Sequence, residues 1–479
     1  MPYPASVKSR AYSCAWFAGL KIRRRVATAL ALGIVCSGFS PAALANSDPL
    51  TGLVSAPGGA GLGAAFRLER SPYAGAGTRN DFVPLYLYEG KYAYLHANRA
   101  GLHLDSSPRH RFDVFVSHRF EGFPYDRIPA TLAGMAERQP GLDLGATYEN
   151  RGAWGAAYAE VLRNATSASH GSEYRFGYGY EMRAGRLTLR PYAEIALRDA
   201  KLNNYYYGVR PEEATPLRPA YEPGAGTNSR IGLYGAYALT ERWRLLAGID
   251  ATRWSRGVRA SPIVNRRIGT AVMAGLMYDF SPEHVPWPDA KPLRVRAYAG
   301  RATECDVAKV VRLVCTSTQT RDQTRVLALE LGRPFIERLN GWPFDVVGYV
   351  GLLRHRERGV QPDFWQLNAY MKGLWYGFPW SDRVMTRIGL GAGLSYAHGV
   401  PLLELRDQER NGRNTSRLLN YLDPTIDVSI GDLLGAAALK NTFAGLGVSH
   451  RSGIFGASHL FGNVSGGSNY IYTYIEWEM

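Results

Sequence analysis

Apolar and polar residues alternate one by one along much of this chain, in runs close to the roughly ten residues of a membrane strand. Side chains of a β-strand point alternately to its two faces, so the pattern predicts strands with one apolar and one polar face. The runs before residue 281 are 64–69, 82–88, 92–96, 111–120, 142–149, 154–162, 174–182, 187–197, 230–239, 243–252 and 270–280.

A second group of runs follows a proline-rich break. Residues 281–292 contain four prolines, and proline cannot donate a hydrogen bond to a strand ladder, so this segment is predicted to be a linker. The runs beyond it are 293–301, 326–333, 345–353, 365–376, 385–396, 425–431, 443–449 and 469–477. We therefore predict two domains, 46–280 and 293–479, joined by the linker.

The N-terminal segment indicates export. Residues 21–25 (KIRRR) are followed by an apolar run at 26–35 and by Ala43-Leu44-Ala45, the small-x-small pattern of a signal-peptidase site. The alternative is a membrane anchor, but the apolar run is shorter than the roughly 20 residues that a spanning helix needs. The prediction is a signal peptide at 1–45.

Composition then narrows the fold class. The chain has 53 Gly, 30 Tyr, 17 Phe and 10 Trp, yet its mean hydropathy is only -0.21. An aromatic-rich, globally polar and exported β protein is typical of a transmembrane barrel, with its apolar outer band and polar interior. We predict an all-β fold with antiparallel transmembrane β-barrels in the bacterial outer membrane, of about 10–12 strands followed by about eight. A soluble all-β sandwich and a single merged barrel stay open as alternatives.

Charge and cysteines limit the chemistry. The net charge is +15, but the chain has no basic cluster within a nucleic-acid-binding motif, so nucleic acid is not an expected partner. Arginine suits the phosphate and carboxylate groups of outer-membrane lipids and lipopolysaccharide, which are the expected partners. Cys305 and Cys315 enclose a short polar loop and predict a disulfide in an oxidising compartment. No metal ligand set and no cofactor motif is indicated.

The last two strands carry the candidate chemistry. From Ala444 the alternate positions are apolar as far as Val448, and the same face then presents His450 and Ser452. In an outer-membrane barrel that face would meet lipid, and its polar end would lie at the headgroups. Histidine is the side chain near Ser452 that can take a hydroxyl proton at neutral pH.

The first half resembles the MipA/OmpV family of outer-membrane proteins. The resemblance lies in four short motifs, at 61–65 (GLGAA), 204–209 (NYYYGV), 237–240 (YALT) and 261–264 (SPIV). It implies an outer-membrane scaffold around the peptidoglycan-remodelling machinery, so peptidoglycan-remodelling proteins are expected partners. It supplies no catalytic residues.

The second half resembles PagL-type lipid A deacylases, eight-stranded barrels that cleave an ester-linked acyl chain. The resemblance lies in 446–452 (LGVSHRS) and 467–470 (GSNY). It implies that His450 is the base and Ser452 the nucleophile of a serine esterase. The family's orienting glutamate is absent here, and Asn469 is the expected replacement because it is predicted to share the outward face.

The predicted function is an outer-membrane envelope scaffold of the MipA/OmpV type, and a lipid A ester hydrolase and a porin-like protein are the alternatives. Asp423 and Asp427 could supply an acid to the site if their strand lies beside that of His450, although an aspartate before Pro424 is also typical of a turn.

Overall fold

The computed structural model describes residues 40–41, 50, 53–54, 59–123, 128–166, 168–280 and 292–479. The predicted signal peptide, apart from residues 40–41, lies outside the described residues. The predicted linker lies outside them as well, apart from Pro292.

The alternating runs of the first half form an antiparallel sheet that closes when β9 pairs with β11, a ring of twelve strands within the described residues. Two short strands, β1 (Ser40–Pro41) and β10 (Met182–Ala184), extend the ladder beside β11. The ring consists of β2 (Gly59–Arg70), β3 (Thr78–Glu89), β4 (Ala93–His96), β5 (Arg99–Ser106), β6 (His110–Arg119), β7 (Gly141–Gly152), β8 (Gly155–Asn164), β9 (Ser172–Gly179), β11 (Leu187–Arg198), β12 (Gly226–Ala238), β13 (Trp243–Arg253) and β14 (Ile268–Asp279).

The second half forms a separate closed barrel of eight strands in the described region 292–479. Its first strand pairs with its last in an antiparallel register, so Thr303 lies opposite Asn469. The strands are β15 (Arg294–Thr303), β16 (Arg325–Ile336), β17 (Phe344–Arg356), β18 (Phe364–Trp375), β19 (Thr386–Ala397), β20 (Leu418–Ser429), β21 (Thr442–Ser452) and β22 (Gly467–Glu478).

The predicted fold class, all-β antiparallel barrels, is confirmed, but the short strands β1, β5 and β10 were not predicted and β20 begins earlier than predicted. β5 was not predicted, because it follows β4 through a tight turn at Ala97, which has a positive φ although it is not glycine. β20 begins at Leu418, seven residues before the predicted 425. Pro424 lies within this strand; it pairs with Leu390 on the β19 side, while the β21 ladder skips it.

Short helices lie in the connections between strands. They are α1 (Ala200–Tyr207), α2 (Arg256–Ala260), α3 (Val307–Val311), α4 (Leu402–Asn411) and α5 (Ile430–Leu434). In the part of the chain that is described, no helix has both the length and the apolar character to cross a membrane.

The connections at the two ends of each barrel differ in length. In the C-terminal barrel the long connections 304–324, 398–417 and 453–466 share one end, and 337–343 is one of the shorter turns at the other. Outer-membrane barrels have short periplasmic turns and longer extracellular loops. We therefore assign the end with the long connections to the extracellular side.

A charged network fills the interior of the C-terminal barrel. Arg296 is buried and bonds through Nε to Glu330 at 2.8 Å and through Nη2 to Asp423 at 2.9 Å. Lys372 Nζ donates to the same Asp423 at 2.7 Å. Buried tyrosines, including Tyr472, donate further hydrogen bonds to these carboxylates. The interior is a packed core, as expected of an eight-stranded barrel.

The N-terminal barrel encloses a cavity of about 290 Å³ between two apolar clusters. At one end Leu50, Leu53 and Val54 pack inside the barrel with Leu85 and other wall residues. At the extracellular end an apolar cluster built on the loops closes the barrel, with Tyr73, Phe123, Leu132, Met135, Leu202, Tyr206, Tyr207, Val209, Trp254, Val258, Ile263 and Val264. The described residues thus fill both ends of the interior.

The two barrels contact each other along β3. β4 covers only residues 87–89 of this strand, and nearer the extracellular end the segment 453–466 of the C-terminal barrel lies against β3. Phe82 N donates to Ala457 O at 3.0 Å, and His459 N donates to Asp81 Oδ1 at 2.6 Å. Tyr86 bonds to Asn420 on the outer face of β20. We call this contact the seam.

The fold predicts heat-modifiable behaviour of the full-length protein. A closed barrel satisfies its backbone hydrogen bonds internally and resists detergent, so unheated protein should migrate differently from boiled protein in detergent gels and should fractionate with outer membranes. Recovery of the unboiled protein in a detergent-free soluble fraction would contradict the membrane-barrel assignment.

The structure contains the predicted disulfide between Cys305 and Cys315, whose Cα atoms are 5.7 Å apart. We expect both thiols to resist alkylation in denatured, unreduced protein and to react after reduction. Closing a loop of this length stabilises the folded state by about 2 to 3 kcal/mol in the chain-entropy model. Alkylation of both cysteines before reduction, read by mass spectrometry, would rule the bridge out.

Candidate functional site

His450 and Asn469 face each other across the last two strands of the C-terminal barrel. They are direct cross-strand partners in the β21–β22 ladder, and His450 Nδ1 lies 2.6 Å from Asn469 Oδ1. Their neighbours Arg451 and Tyr470 are buried in the interior, so the alternation of strand side chains places the pair on the outer face. The pair lies near the extracellular ends of both strands.

The surroundings of Asn469 determine the histidine tautomer. Asn469 Nδ2 donates to the backbone oxygen of Cys305 at 3.0 Å, which directs its Oδ1 to the ring of His450. An amide oxygen is only an acceptor, so His450 Nδ1 carries the hydrogen and donates it. The other ring nitrogen, Nε2, then has a free lone pair and can accept a proton. This is the tautomer that a general base requires.

The disulfide loop packs on the outer face beside the pair. Cys305, Val310 and Val448 form a buried apolar cluster, and Ile471 packs against it. Thr303 Oγ1 accepts from the backbone nitrogen of Cys305 at 3.1 Å. The loop therefore holds the carbonyl that orients Asn469 and packs beside the half-buried His450–Asn469 pair.

Ser452 lies two residues beyond His450 on the same face, at the end of β21. Its backbone partners are Asn420 and Gly467, and Asn420 is the residue that bonds to Tyr86 at the seam. Across the described residues, the Ser452 hydroxyl has no hydrogen bond to His450 or to any other group. Hydrogen bonds of catalytic groups often tighten only when substrate binds.

The inward-facing side chain next to His450 has its own partners inside the barrel. Arg451 points into the barrel, where Nη1 donates to Ser395 Oγ at 3.2 Å and Nε lies 3.4 Å from Glu404 Oε2. Glu404 belongs to α4, which lies in an extracellular connection. Burial raises the pKa of the Glu404 carboxyl above its ordinary value, while the positive charge of Arg451 acts against that shift.

The aspartates considered from sequence do not join the site. β20 does lie beside β21, but Asp423 and Asp427 point into the barrel, where they pair with Lys372 and Arg387 respectively. The acid that acts electrostatically on His450 is Asp306, in the disulfide loop. Sequence reasoning missed Asp306. It could have been found, because closure of an eight-stranded barrel pairs the first strand with the last and so brings the loop after β15 close to the start of β22.

Within the described ranges, no group of three or more His, Cys, Asp or Glu side chains is arranged to hold a metal ion. The arrangement at His450 instead suits proton transfer.

Comparisons with known proteins concern the first half. Residues 62–280 match the family profile described as MltA-interacting protein MipA. Outer membrane protein Omp26La of Vibrio anguillarum is 29% identical over 160 residues, which are 33% of this chain and 62% of that protein. Outer membrane protein OmpV of Vibrio cholerae is 28% identical over the same share of each chain. The chain thus spans about 62% of the length of these two relatives.

A third relative is matched over nearly its whole length. The MltA-interacting protein of Escherichia coli is 23% identical over 232 residues, 48% of this chain and 93% of that protein. Among solved structures, the copper transporter OprC aligns with 89% of this chain and 81% of its own, at 11% identity and a TM-score of 0.22, a value too low to indicate a shared fold. The predicted location is confirmed: this is a bacterial outer-membrane β-barrel protein, and its residues 62–280 match the MipA family profile.

Proposed function

We propose that the C-terminal barrel is an ester hydrolase for acylated glycolipids of the outer leaflet, of the lipid A type. The observation that carries the proposal is the 2.6 Å contact of His450 Nδ1 with Asn469 Oδ1 on the outer face of the barrel. It leaves Nε2 free to take a proton, and Ser452 lies on the same face.

The place of the site favours a lipid substrate. Below His450 the outer face of β21 and β22 continues with the exposed apolar residues Leu446, Ile475 and Trp477. Acyl chains of a membrane lipid would lie along this surface, and their ester linkages would lie at the level of His450. The extracellular end of the barrel corresponds to the outer leaflet, where lipopolysaccharide resides.

In the proposed reaction Ser452 is the nucleophile and His450 is the base. Ser452 Oγ attacks the acyl carbonyl carbon while His450 Nε2 takes the hydroxyl proton. The tetrahedral intermediate collapses, the bond from the acyl carbon to the sugar oxygen breaks, and His450 returns the proton to that oxygen. A water molecule, deprotonated by His450, then hydrolyses the acyl-enzyme and releases the fatty acid. Asn469 positions the ring throughout; as a neutral group it stabilises an imidazolium less than a carboxylate does.

Substitutions on the outer face test the proposal. Ser452→Ala should abolish removal of the acyl chain without unfolding the barrel, because a rim hydroxyl contributes little to stability. Asn469→Ala should lower the rate by less, and Asn469→Glu should keep or raise it because a carboxylate stabilises the imidazolium better. The measurement is mass spectrometry of lipid A from cells that express each variant.

The matched control is Ser449→Ala, which removes a hydroxyl from the same strand on its buried inner face and should leave the lipid product unchanged. The hydrolase proposal would be contradicted if lipid A stayed intact when the wild type is overexpressed. A fully active Ser452→Ala variant would contradict it as well.

The second candidate function is that of a scaffold that binds a peptidoglycan-remodelling protein. The family profile that the first half matches supports it. The match at residues 62–280 and the name of the Escherichia coli relative favour it. A porin-like function has less support, because apolar clusters fill both ends of the N-terminal barrel in its described residues.

The scaffold function predicts a direct complex. Detergent-solubilised full-length protein, immobilised on a sensor surface, should retain purified MltA, and the Ser452→Ala variant should retain it equally because Ser452 lies outside the matched residues 62–280. No saturable binding by micromolar partner would contradict this function and leave the hydrolase proposal untouched.

A further inference from the structure

Three arginines lie side by side on the outer face of the C-terminal barrel. Arg301 on β15 is the direct cross-strand partner of Arg325 on β16, and Arg325 is the partner of Arg356 on β17. All three are exposed. Adjacent strands are about 4.8 Å apart, so the row presents three positive charges across roughly 10 Å. We call these residues the arginine row.

The row has little compensating negative charge. Arg356 bonds to Asp363 at 2.9 Å, whereas Arg301 and Arg325 have no acidic partner among the described residues. Like charges directly opposite each other on a sheet repel and destabilise the pair. A bound anion would remove that repulsion, and arginine pairs with phosphate oxygens through two parallel hydrogen bonds.

The arginine row lines a cavity of about 580 Å³ on the barrel surface. Arg358 adds a fourth guanidinium to the lining, and Thr318 of the 304–324 connection adds a hydroxyl. The lower part of the cavity is mainly apolar, with Ala299 and Leu327 beside the hydroxyl of Thr473. The cavity therefore joins a cationic upper part to an apolar lower part, as an anionic lipid requires.

The depth of the cavity matches the headgroup region of a membrane. Arg325 is the first residue of β16 and Arg356 the last of β17, so both lie at the extracellular ends of their strands. Farther down the same face come the exposed residues Leu329, Leu352 and Leu367, which suit the hydrocarbon core.

The arginine row lies two strands from the strand of His450, with the disulfide loop packed on the outer face between them. Arg301 is the cross-strand partner of Ile471 on β22, and Ile471 is the partner of Val448 on β21. Val448 precedes His450 by two residues on the same face. Two strand spacings, about 10 Å, therefore separate the first arginine of the row from the strand of His450, a span within one phosphorylated sugar unit and its acyl chain.

We propose that the arginine row binds the phosphate of a phosphorylated, acylated glycolipid and so places its ester at His450 and Ser452. The assignment rests on the proposed hydrolase function and adds the residues that hold the phosphate of its substrate. The occupant is a lipid phosphate and not a free ion, because the apolar lower part of the cavity continues into the membrane-facing surface.

The first experiment measures binding without turnover. Full-length protein carrying Ser452→Ala is mixed with bis-phosphorylated lipid A or with the same lipid after phosphatase treatment, and retained lipid is counted by native mass spectrometry. Adding Arg301→Gln and Arg325→Gln should weaken retention of the phosphorylated lipid at least about tenfold and leave that of the dephosphorylated lipid unchanged. Equal retention of the phosphorylated lipid with and without these substitutions overturns the proposal.

The matched control is Arg266→Gln with Arg267→Gln, which removes two positive charges from a loop of the other barrel and should change nothing. Arg358→Gln, outside the strands, gives a milder second variant that keeps the barrel intact and should weaken retention in the same direction. If millimolar inorganic phosphate binds the arginine row while lipid A does not displace it, the site is for a free anion and the lipid assignment fails.

A kinetic experiment separates this proposal from the hydrolase function. With Ser452 present, the substitutions Arg301→Gln and Arg325→Gln should raise KM for phosphorylated lipid while kcat changes little. Hydrolysis with an unchanged KM would refute phosphate binding by the arginine row and leave the hydrolase function standing. Binding that depends on the arginines, without any hydrolysis, would refute the hydrolase function and leave the lipid-phosphate site standing.

Discussion

Closure of the C-terminal sheet is the constraint on which the candidate site depends. A strand edge cannot remain unpaired in a membrane, so β15 must pair with β22. That pairing places Thr303 opposite Asn469 and brings the carbonyl of Cys305 to the asparagine amide. The hydrogen bond that orients His450 is thus a consequence of barrel closure, and the disulfide loop is held over it by the same register.

The interior of the C-terminal barrel holds the fold together, whereas its outer face carries the candidate site. The C-terminal barrel encloses ion pairs that link several strands, such as Arg387 with Asp427 and Glu476 at distances of 2.8 to 2.9 Å. These contacts fill the interior of the barrel and leave the outer surface as the place where a substrate can bind. A narrow barrel in a membrane can therefore be an enzyme for lipids without being a channel.

The seam connects the two barrels close to the candidate nucleophile. The segment that follows Ser452 lies along β3 of the N-terminal barrel, and Asn420, the backbone neighbour of Ser452, bonds to Tyr86. The N-terminal barrel thus borders the site on one side, and on the other side the disulfide loop borders it, with the arginine row beyond the loop. A lipid approaching His450 would do so between these two boundaries.

The sequence by itself determined the fold class, the two groups of strands and the outward face of β21, because strand periodicity depends only on local alternation. It also identified the Cys305–Cys315 pair. It did not show β5, since a turn at Ala97 carries no glycine or proline signal, and it misjudged Asp423 and Pro424, which tertiary pairing holds inside a strand. Only the closed structure placed Arg301, Arg325 and Arg356 side by side and brought the loop of Cys305 and Asp306 to the His450 site, because register between distant strands is decided by closure and not by local pattern.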